Sequence, residues 1–376
     1  LPPKGGILVY HMITVKIEKE SYGSFIARNE GKIVFTENVL PGELCRLKIT
    51  EEKKDFAFAE LIEVLEPSAN RIEPACPNYL KCGGCDYLHA EYNTELEIKR
   101  NIIKDCSKRI GRFDFSSEIK TYSSERFGYR SRCSVKSNGT QTGFFGKKTN
   151  TIIPFPDSGC ILLDRAINDF IKANLITDDC RIMKGSDEQI SNSPNADILE
   201  KESGFQFTHK ADGFFQSNRF LRSKMLELVL DKAKDFTHAI DLGCGCGFFT
   251  IPLSTKMKIT GIDISEQSII SAKKNNTING TNADFIRCDM NRIPLSSKQA
   301  DLIITDPPRA GMSSDTRKNI ISIQPGKIIY VSCNPATWAR DAGEFIKSGY
   351  KIESIDFIDM FPGTMHIELI SSFSIE

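Results

Sequence analysis

The sequence predicts an α/β protein: a doubly wound parallel sheet in its C-terminal half, preceded by a small β-barrel and a small α+β middle region. Three observations carry this. Short alternating apolar stretches crowd the first 65 residues, a region punctuated by proline and cysteine follows, and from about Gly213 helix and strand patterns alternate to the end. The chain has 376 residues, enough for two or three domains. Hydrophobic residues make up 40% and charged residues 26%, which excludes a disordered or collagen-like chain. Forty-nine basic residues balance 49 acidic ones, which argues against a highly basic chromatin type but leaves local patches open. No stretch of about 18 apolar residues exists, so no membrane span is expected. Residues 1–11 lack a signal peptide's basic-then-apolar plan. We read residues 1–12 as a cloning remnant, with native sequence starting at Met12, and expect a cytoplasmic protein with reduced thiols.

The barrel is expected over 13–68. Val15 and Ile17 alternate with Lys16 and Glu18, and Cys45, Leu47 and Ile49 oppose Leu44, Arg46 and Lys48 in parity. Pro41-Gly42 and Glu30-Gly31 supply turns. An oligonucleotide-binding barrel and a structural cap without a ligand both fit this pattern.

The middle region is expected over 69–210. A helix is expected from Tyr92 to Ile110, because Ile98, Ile102, Cys106 and Ile110 fall four apart and Gly111 is a good stop. Strand candidates are Cys133 to Lys136 and Ile152 to Phe155. Between Lys99 and Lys136 stand eleven Lys or Arg against four Asp or Glu, with Tyr122, Phe127 and Tyr129 among them. Basic groups interleaved with aromatics suit RNA; a solvated helix face with core aromatics is the bland alternative.

In the last region, 211–376, strands at His238 to Leu242, Lys258 to Ile262, Ala283 to Arg287, Asp301 to Thr305 and Lys327 to Ser332 alternate with helices, and two strands close the chain. Asp241-Leu-Gly-Cys-Gly-Cys-Gly247 follows the first of these strands and opens a helix. Its glycines allow close approach of backbone to a ligand, and Asp263, ending the next strand, suits a ribose diol. Glycine at every second residue differs from the dinucleotide pattern. It is similar to the S-adenosylmethionine (SAM) site of class I methyltransferases, which implies a Rossmann-like SAM domain.

Thr305-Asp-Pro-Pro-Arg-Ala-Gly311 and Ser332-Cys-Asn-Pro335 follow two further strands, so Asp306, Arg309 and Cys333 are expected beside the cofactor turn. Polar neighbours and a helix N-terminus favour a Cys333 nucleophile of lowered pKa, against a buried packing thiol. Glu368 sits in an otherwise apolar strand, which suits a general base or a structural ion pair.

The Ser332-Cys-Asn-Pro-Ala-Thr-Trp-Ala-Arg-Asp341 run, the Asp306-Pro-Pro-Arg309 loop, Gly213-Phe-Phe-Gln-Ser-Asn218 and the His366-Ile-Glu368 ending together resemble the RNA uracil-5-methyltransferase family, which makes 5-methyluridine in rRNA and tRNA. The resemblance extends over essentially the whole chain after residue 12. The barrel resembles that family's TRAM RNA-binding domain, and Gly128-Tyr-Arg-Ser-Arg132 a strand of its central domain. By this resemblance Cys333 is the nucleophile and Glu368 the proton acceptor. Gln216, Asp263, Asp289 and Asp306, with Gly243 and Phe248, match positions that contact SAM, though Phe248 replaces a residue that is often polar.

Cys76, Cys82 and Cys85 lie within ten residues in a Gly-rich loop, a signal for a metal or an Fe–S cluster, and Cys160 is the best fourth thiol. Zinc is the rival. The resemblance implies a 4Fe–4S cluster on these four residues. Cys45, Cys106, Cys133, Cys180, Cys244, Cys246 and Cys288 are expected to pack as small apolar groups. The expected activity is methylation of uridine C5 in structured RNA, 23S rRNA before tRNA uridine 54, by a monomer. An enzyme methylating an exocyclic nitrogen and a non-catalytic Fe–S RNA-binding protein are the rivals.

Overall fold

The structure, a computed structural model, describes residues 11–115, 118–293 and 300–375. The remnant expected over 1–12 lies outside them except for His11 and Met12. The chain forms two compact units, Leu1–Asp105 with Gly363–Met365, and Cys106–Pro362 with His366–Glu376.

The first unit begins with five strands, β1 (Met12–Ser21), β2 (Ser24–Asn29), β3 (Lys32–Thr36), β4 (Leu44–Glu52) and β5 (Phe56–Glu66), closed into a barrel in the order β1-β2-β3-β5-β4. The parity read from the sequence holds: Ile13, Val15 and Ile17 point inward, as do Cys45, Leu47 and Ile49. Closure leaves no strand edge to pair with another chain. Buried Glu43 pins the exit from the barrel: it accepts from Leu40 N–H (2.7 Å), Ser68 N–H (3.1 Å) and the Arg71 guanidinium (2.6 and 2.8 Å). Burial pushes its pKa up, but these donors win and hold the carboxyl below its ordinary value.

Helix α1 (Tyr92–Cys106) buries Ile98, Ile102 and Cys106, as the periodicity predicts. It does not continue as an α-helix to Ile110. A π-turn, Ser107–Gly111, follows, and Ile110 is exposed. The reason is a backbone-to-backbone approach onto a later helix. A Cβ on Gly111 would lie 2.7 Å from the Ala339 carbonyl, and one on Gly343 would lie 2.5 Å from the Gly111 carbonyl. Inserting one residue per turn rotates Ile110 off the buried face.

In the second unit, β7 (Arg132–Ser137), β8 (Thr142–Phe145), β9 (Ile152–Pro154), β10 (Cys180–Lys184) and β11 (Ile190–Ser191) form a five-stranded sheet packed on α2 (Arg165–Ala173); β12 (Asp197–Glu202) and β13 (Phe205–Lys210) form a hairpin. After α3 (Arg222–Lys232) come β14 (His238–Leu242), α4 (Thr250–Leu253), β15 (Lys258–Asp263), α5 (Glu266–Ile278), β16 (Asp284–Arg287), β17 (Leu302–Thr305), α6 (Ser314–Ile323), β18 (Lys327–Ser332), α7 (Pro335–Lys347), β19 (Lys351–Ile358) and β20 (Glu368–Ser374). With the short strand β6 (Lys120–Tyr122), the sheet order is β16-β15-β14-β17-β18-β20-β19-β6, parallel through β18, with β20 antiparallel to both neighbours. The edge strand β6 is not legible in the sequence: three residues carry no readable period, and only the free edge of β19 orders them. Chain order reverses between β14 and β17, the crevice where ligands of such sheets bind.

Candidate active site

A cavity of about 860 Å³ opens at the carboxyl ends of β14, β15, β17 and β18. Five of the six residues expected to contact the cofactor line it: Gln216, Gly243, Asp263, Asp289 and Asp306. Phe248 does not. It is buried behind the glycine turn, ring against ring with Phe215 (5.4 Å), Phe207 (5.7 Å) and Phe249 (5.0 Å). Gly243 has φ +86°, and a Cβ there would sit 2.7 Å from the Asp306 carbonyl, so only glycine leaves room at this point of the turn. Asp263 is aimed by two backbone donors, Gly245 N–H (2.9 Å) and Ser265 N–H (2.7 Å). Asp289 accepts from Asn291 N–H (2.9 Å). This glycine cradle with two acidic side chains at the cavity wall fits an adenosine-type cofactor such as SAM.

The reacting wall follows from strand register. Antiparallel pairing sets Ser332 of β18 opposite Leu369 of β20, which brings Cys333 level with Glu368, and both line the cavity. Asn334 caps α7 by accepting from Ala336 N–H (3.0 Å) and Thr337 N–H (3.4 Å), with Pro335 inside the first turn. Buried Asp341 holds the end of the Pro307-Pro308 loop. It accepts from Met312 N–H (2.9 Å), Tyr330 hydroxyl (2.9 Å) and Arg317 (3.0 Å).

The electrostatics correct one expectation. Cys333 does not have a lowered pKa: burial first, then the neighbouring Glu368 and Asp306, push it up to about 12, against the pull of Arg309. Helix N-terminal stabilisation of the thiolate is outweighed first by burial and then by the two neighbouring carboxyls. Asp306 is pushed up to about 7 by burial and by Asp241. Asp241 is itself raised to about 7 by burial, while Thr250 hydroxyl, donating at 2.6 Å, opposes the shift. Glu368 is held well above the ordinary carboxylate range by burial and then Asp306, with Arg309 opposing. Burial thus raises the pKa of Cys333, Asp241, Asp306 and Glu368, and Arg309 opposes the shift at Cys333 and Glu368.

Two groups at this wall have no role readable from sequence. His366 lines the cavity, with Nε2 2.9 Å from Arg309 Nη2 and its ring edge-on to Phe361 at 5.6 Å. Both belong to the segment joining β19 to β20, where hydrophobic period is uninformative. Their only signal is polar and aromatic residues set closely before an acid in an apolar strand.

In the first unit, Cys76, Cys82 and Cys85 are half-buried in a turn-rich loop. Tyr79 N–H donates to Cys76 carbonyl (3.0 Å), and Tyr79 hydroxyl donates to Asp86 carbonyl (2.7 Å). Cys160 belongs to the second unit, its N–H donating to Asn168 Oδ1 (2.9 Å). Among the described residues no group of three or more His, Cys, Asp or Glu is arranged to hold a metal ion, so the geometry does not support the 4Fe–4S expectation. Of the expected packing thiols, Cys45, Cys106, Cys133, Cys244 and Cys246 are buried. Cys180 and Cys288 are only half-buried, and Cys288 lines the cavity.

A family model for tRNA (uracil-5-)-methyltransferase matches residues 194–372, and one for the TRAM domain matches residues 9–62. An RNA methyltransferase of Aquifex aeolicus, described as uncharacterized, is 30% identical, over 97% of this chain and 99% of its own. The chain belongs to the RNA uracil-5-methyltransferase family. The 23S rRNA (uracil(1939)-C(5))-methyltransferase RlmD of Vibrio vulnificus is 28% identical, over 96% of this chain and 95% of its own. The crystal structure of Pyrococcus abyssi tRNA (uracil-54, C5)-methyltransferase in complex with S-adenosyl-L-homocysteine superposes with a TM-score of 0.75 at 23% identity, over 96% of this chain and 99% of that one. The enzyme therefore has an N-terminal TRAM barrel and a class I SAM-dependent catalytic sheet, and acts on RNA with SAM as methyl donor. No helix among the described residues is long and apolar enough to cross a membrane.

Proposed function

We propose that the enzyme methylates C5 of one uridine in 23S rRNA through a covalent bond between Cys333 and C6 of the base. The observation that carries this reading is the pairing of Cys333 with Glu368 on one cavity wall, facing the glycine turn. C5 of uracil is a poor nucleophile. Cys333 gives up its thiol proton to solvent in the open cavity, and addition of the thiolate to C6 pushes the C5=C6 electrons towards C4=O, so C5 becomes enolate-like and takes up a methyl group. Glu368 then removes the C5 proton; those electrons re-form C5=C6 and expel the thiolate. Arg309 steadies the anionic forms, as its opposing pull on both pKa values indicates. SAM, held by Gln216, Gly243, Asp263, Asp289 and Asp306, supplies an electrophilic methyl on a positively charged sulfonium. A cation in this cavity opposes the upward pKa shift that burial imposes on Cys333 and Glu368. The base must leave its stack to reach Cys333, at a cost of a few kcal/mol recovered in the pocket.

The Vibrio vulnificus relative supports 23S rRNA; tRNA uridine 54, the substrate named for the Pyrococcus abyssi enzyme, is the alternative. We take the enzyme to be a cytoplasmic monomer. Mass mapping of RNA from a strain lacking the gene should show loss of 5-methyluridine from 23S rRNA. Loss from tRNA alone would reassign the substrate, and no loss would overturn the reading.

We also propose Cys76, Cys82, Cys85 and Cys160 as ligands of a 4Fe–4S cluster with a structural role. The support is the C-x5-C-G-G-C spacing, three thiols in one loop, and the resemblance set out above. Anaerobically purified protein should be brown and contain iron, and Cys82→Ser should bleach it. A colourless protein holding stoichiometric zinc would assign the thiols to zinc instead.

A further inference from the structure

In the second unit, segments 126–132 and 213–220 run side by side. Arg219 N–H donates to Tyr129 carbonyl (3.1 Å), Ser131 N–H to Ser217 carbonyl (3.0 Å), and Arg132 Nη1 to the carbonyls of Gly213 (3.3 Å) and Phe215 (3.1 Å). These fifteen residues contain four arginines and no carboxylate. They also carry three exposed phenylalanines: Phe127 (40% exposed), Phe214 (63%) and Phe220 (38%). Each has a guanidinium beside its ring: Arg126 at 5.9 Å from Phe127, Arg132 at 5.4 Å from Phe214 and Arg219 at 4.4 Å from Phe220. Arg219 also ties the two segments, its Nε donating to Gly128 carbonyl at 3.2 Å. Phe214 reaches the cavity wall, so the strip is continuous with the active site.

Rings this exposed gain little from folding, and their grouping asks for a partner. The partner is anionic and offers flat faces, since every ring is flanked by a cation and the two segments carry no carboxylate of their own; the one acid that reaches them is buried Asp164, 3.1 Å from Arg219 Nε. We propose that this ledge grips the nucleotides flanking the target uridine, stacking unpaired bases on Phe127 and Phe220 and holding their phosphates with Arg126 and Arg219. It rests on the RNA reading given above and extends it to substrate positioning. When the target base leaves its stack, the neighbouring bases each lose a stacking face. Aromatic rings beside the cavity replace that face, which lowers the cost of extrusion.

The test uses the full chain and a fluorescein-labelled, uridine-rich single-stranded RNA 12-mer, read by anisotropy across a salt series. Phe127→Leu/Phe220→Leu keeps bulk and removes the π-faces. It should weaken binding about 5- to 100-fold with the salt slope unchanged. Arg126→Gln/Arg219→Gln should reduce the slope by about 1.4, roughly 0.7 for each phosphate that is no longer neutralised. Melting temperature and SAM affinity check that both variants fold. Wild-type affinity and slope in both variants would overturn the proposal and leave the ledge to a protein partner, as would failure of the wild-type enzyme to bind the oligomer. Ledge-dependent binding in an enzyme that methylates no RNA would sink the functional reading while the ledge stands.

Discussion

Cys333→Ala should lower methyl transfer by roughly 10⁴- to 10⁶-fold, the scale seen when a covalent nucleophile is deleted. Cofactor affinity and melting temperature should change little. The side chain is small, only half-buried and takes no part in the hydrogen bonds that hold the glycine turn. The loss is chemical: without sulfur at C6 nothing raises electron density at C5, and no nearby group substitutes. Glu368 and Asp306 are carboxyls, and Cys288, the other thiol on the cavity wall, follows β16 rather than β18. Radiolabel transfer from SAM to RNA measures the effect. Turnover within tenfold of the wild-type enzyme would remove Cys333 from the nucleophile role.

Glu368→Gln should trap the enzyme on its RNA. Glutamine keeps the shape and hydrogen-bonding capacity of the acid but cannot take the C5 proton, so addition and methylation proceed while elimination stalls. A covalent protein–RNA species that survives denaturing electrophoresis is the expected result, with multiple turnover lost. The fold should tolerate the change, because the amide keeps the size of the carboxyl and burial already disfavours a charge at this position. If RNA is bound and methylated normally without any trapped species, another group is the base. Combining this variant with Cys333→Ala should abolish the adduct, which ties the covalent bond to that sulfur.

Much of the fold is legible in the sequence because it is written in local period and punctuation. The first half of β1 and most of β4 alternate, and closure then buries one parity, so the inward set Ile13, Val15 and Ile17 follows from parity alone. The β14–Gly turn–α4 unit is readable because glycine is required where backbone approaches Asp306. Three features are hidden because they arise from contacts distant in sequence. The π-turn at Ser107–Gly111 exists because Gly111 and Gly343 let two backbones meet. The β6 strand exists because β19 offers an edge. The Arg309–His366 pairing joins groups 57 residues apart.

By itself, the sequence determined the α/β and barrel classes, the residues at the strand ends, and the chemistry those residue types allow. A cysteine, a carboxylate and a glycine turn at carboxyl ends of parallel strands already named the site, since such sheets bind ligands there. Tertiary structure alone decided the electrostatics of that site and which of the expected residues reach it. Residue type makes Cys333 a thiol beside a helix N-terminus. Only the packing of β18 against β20 sets it on one cavity wall with Glu368 and Asp306, where burial first and then those carboxyls raise its pKa instead of lowering it. The fold likewise turns Phe248 into the aromatic layer behind the glycine turn, away from the cavity. Desolvation and charge–charge energies depend on distances through space, and those distances are products of the fold, not of position along the chain.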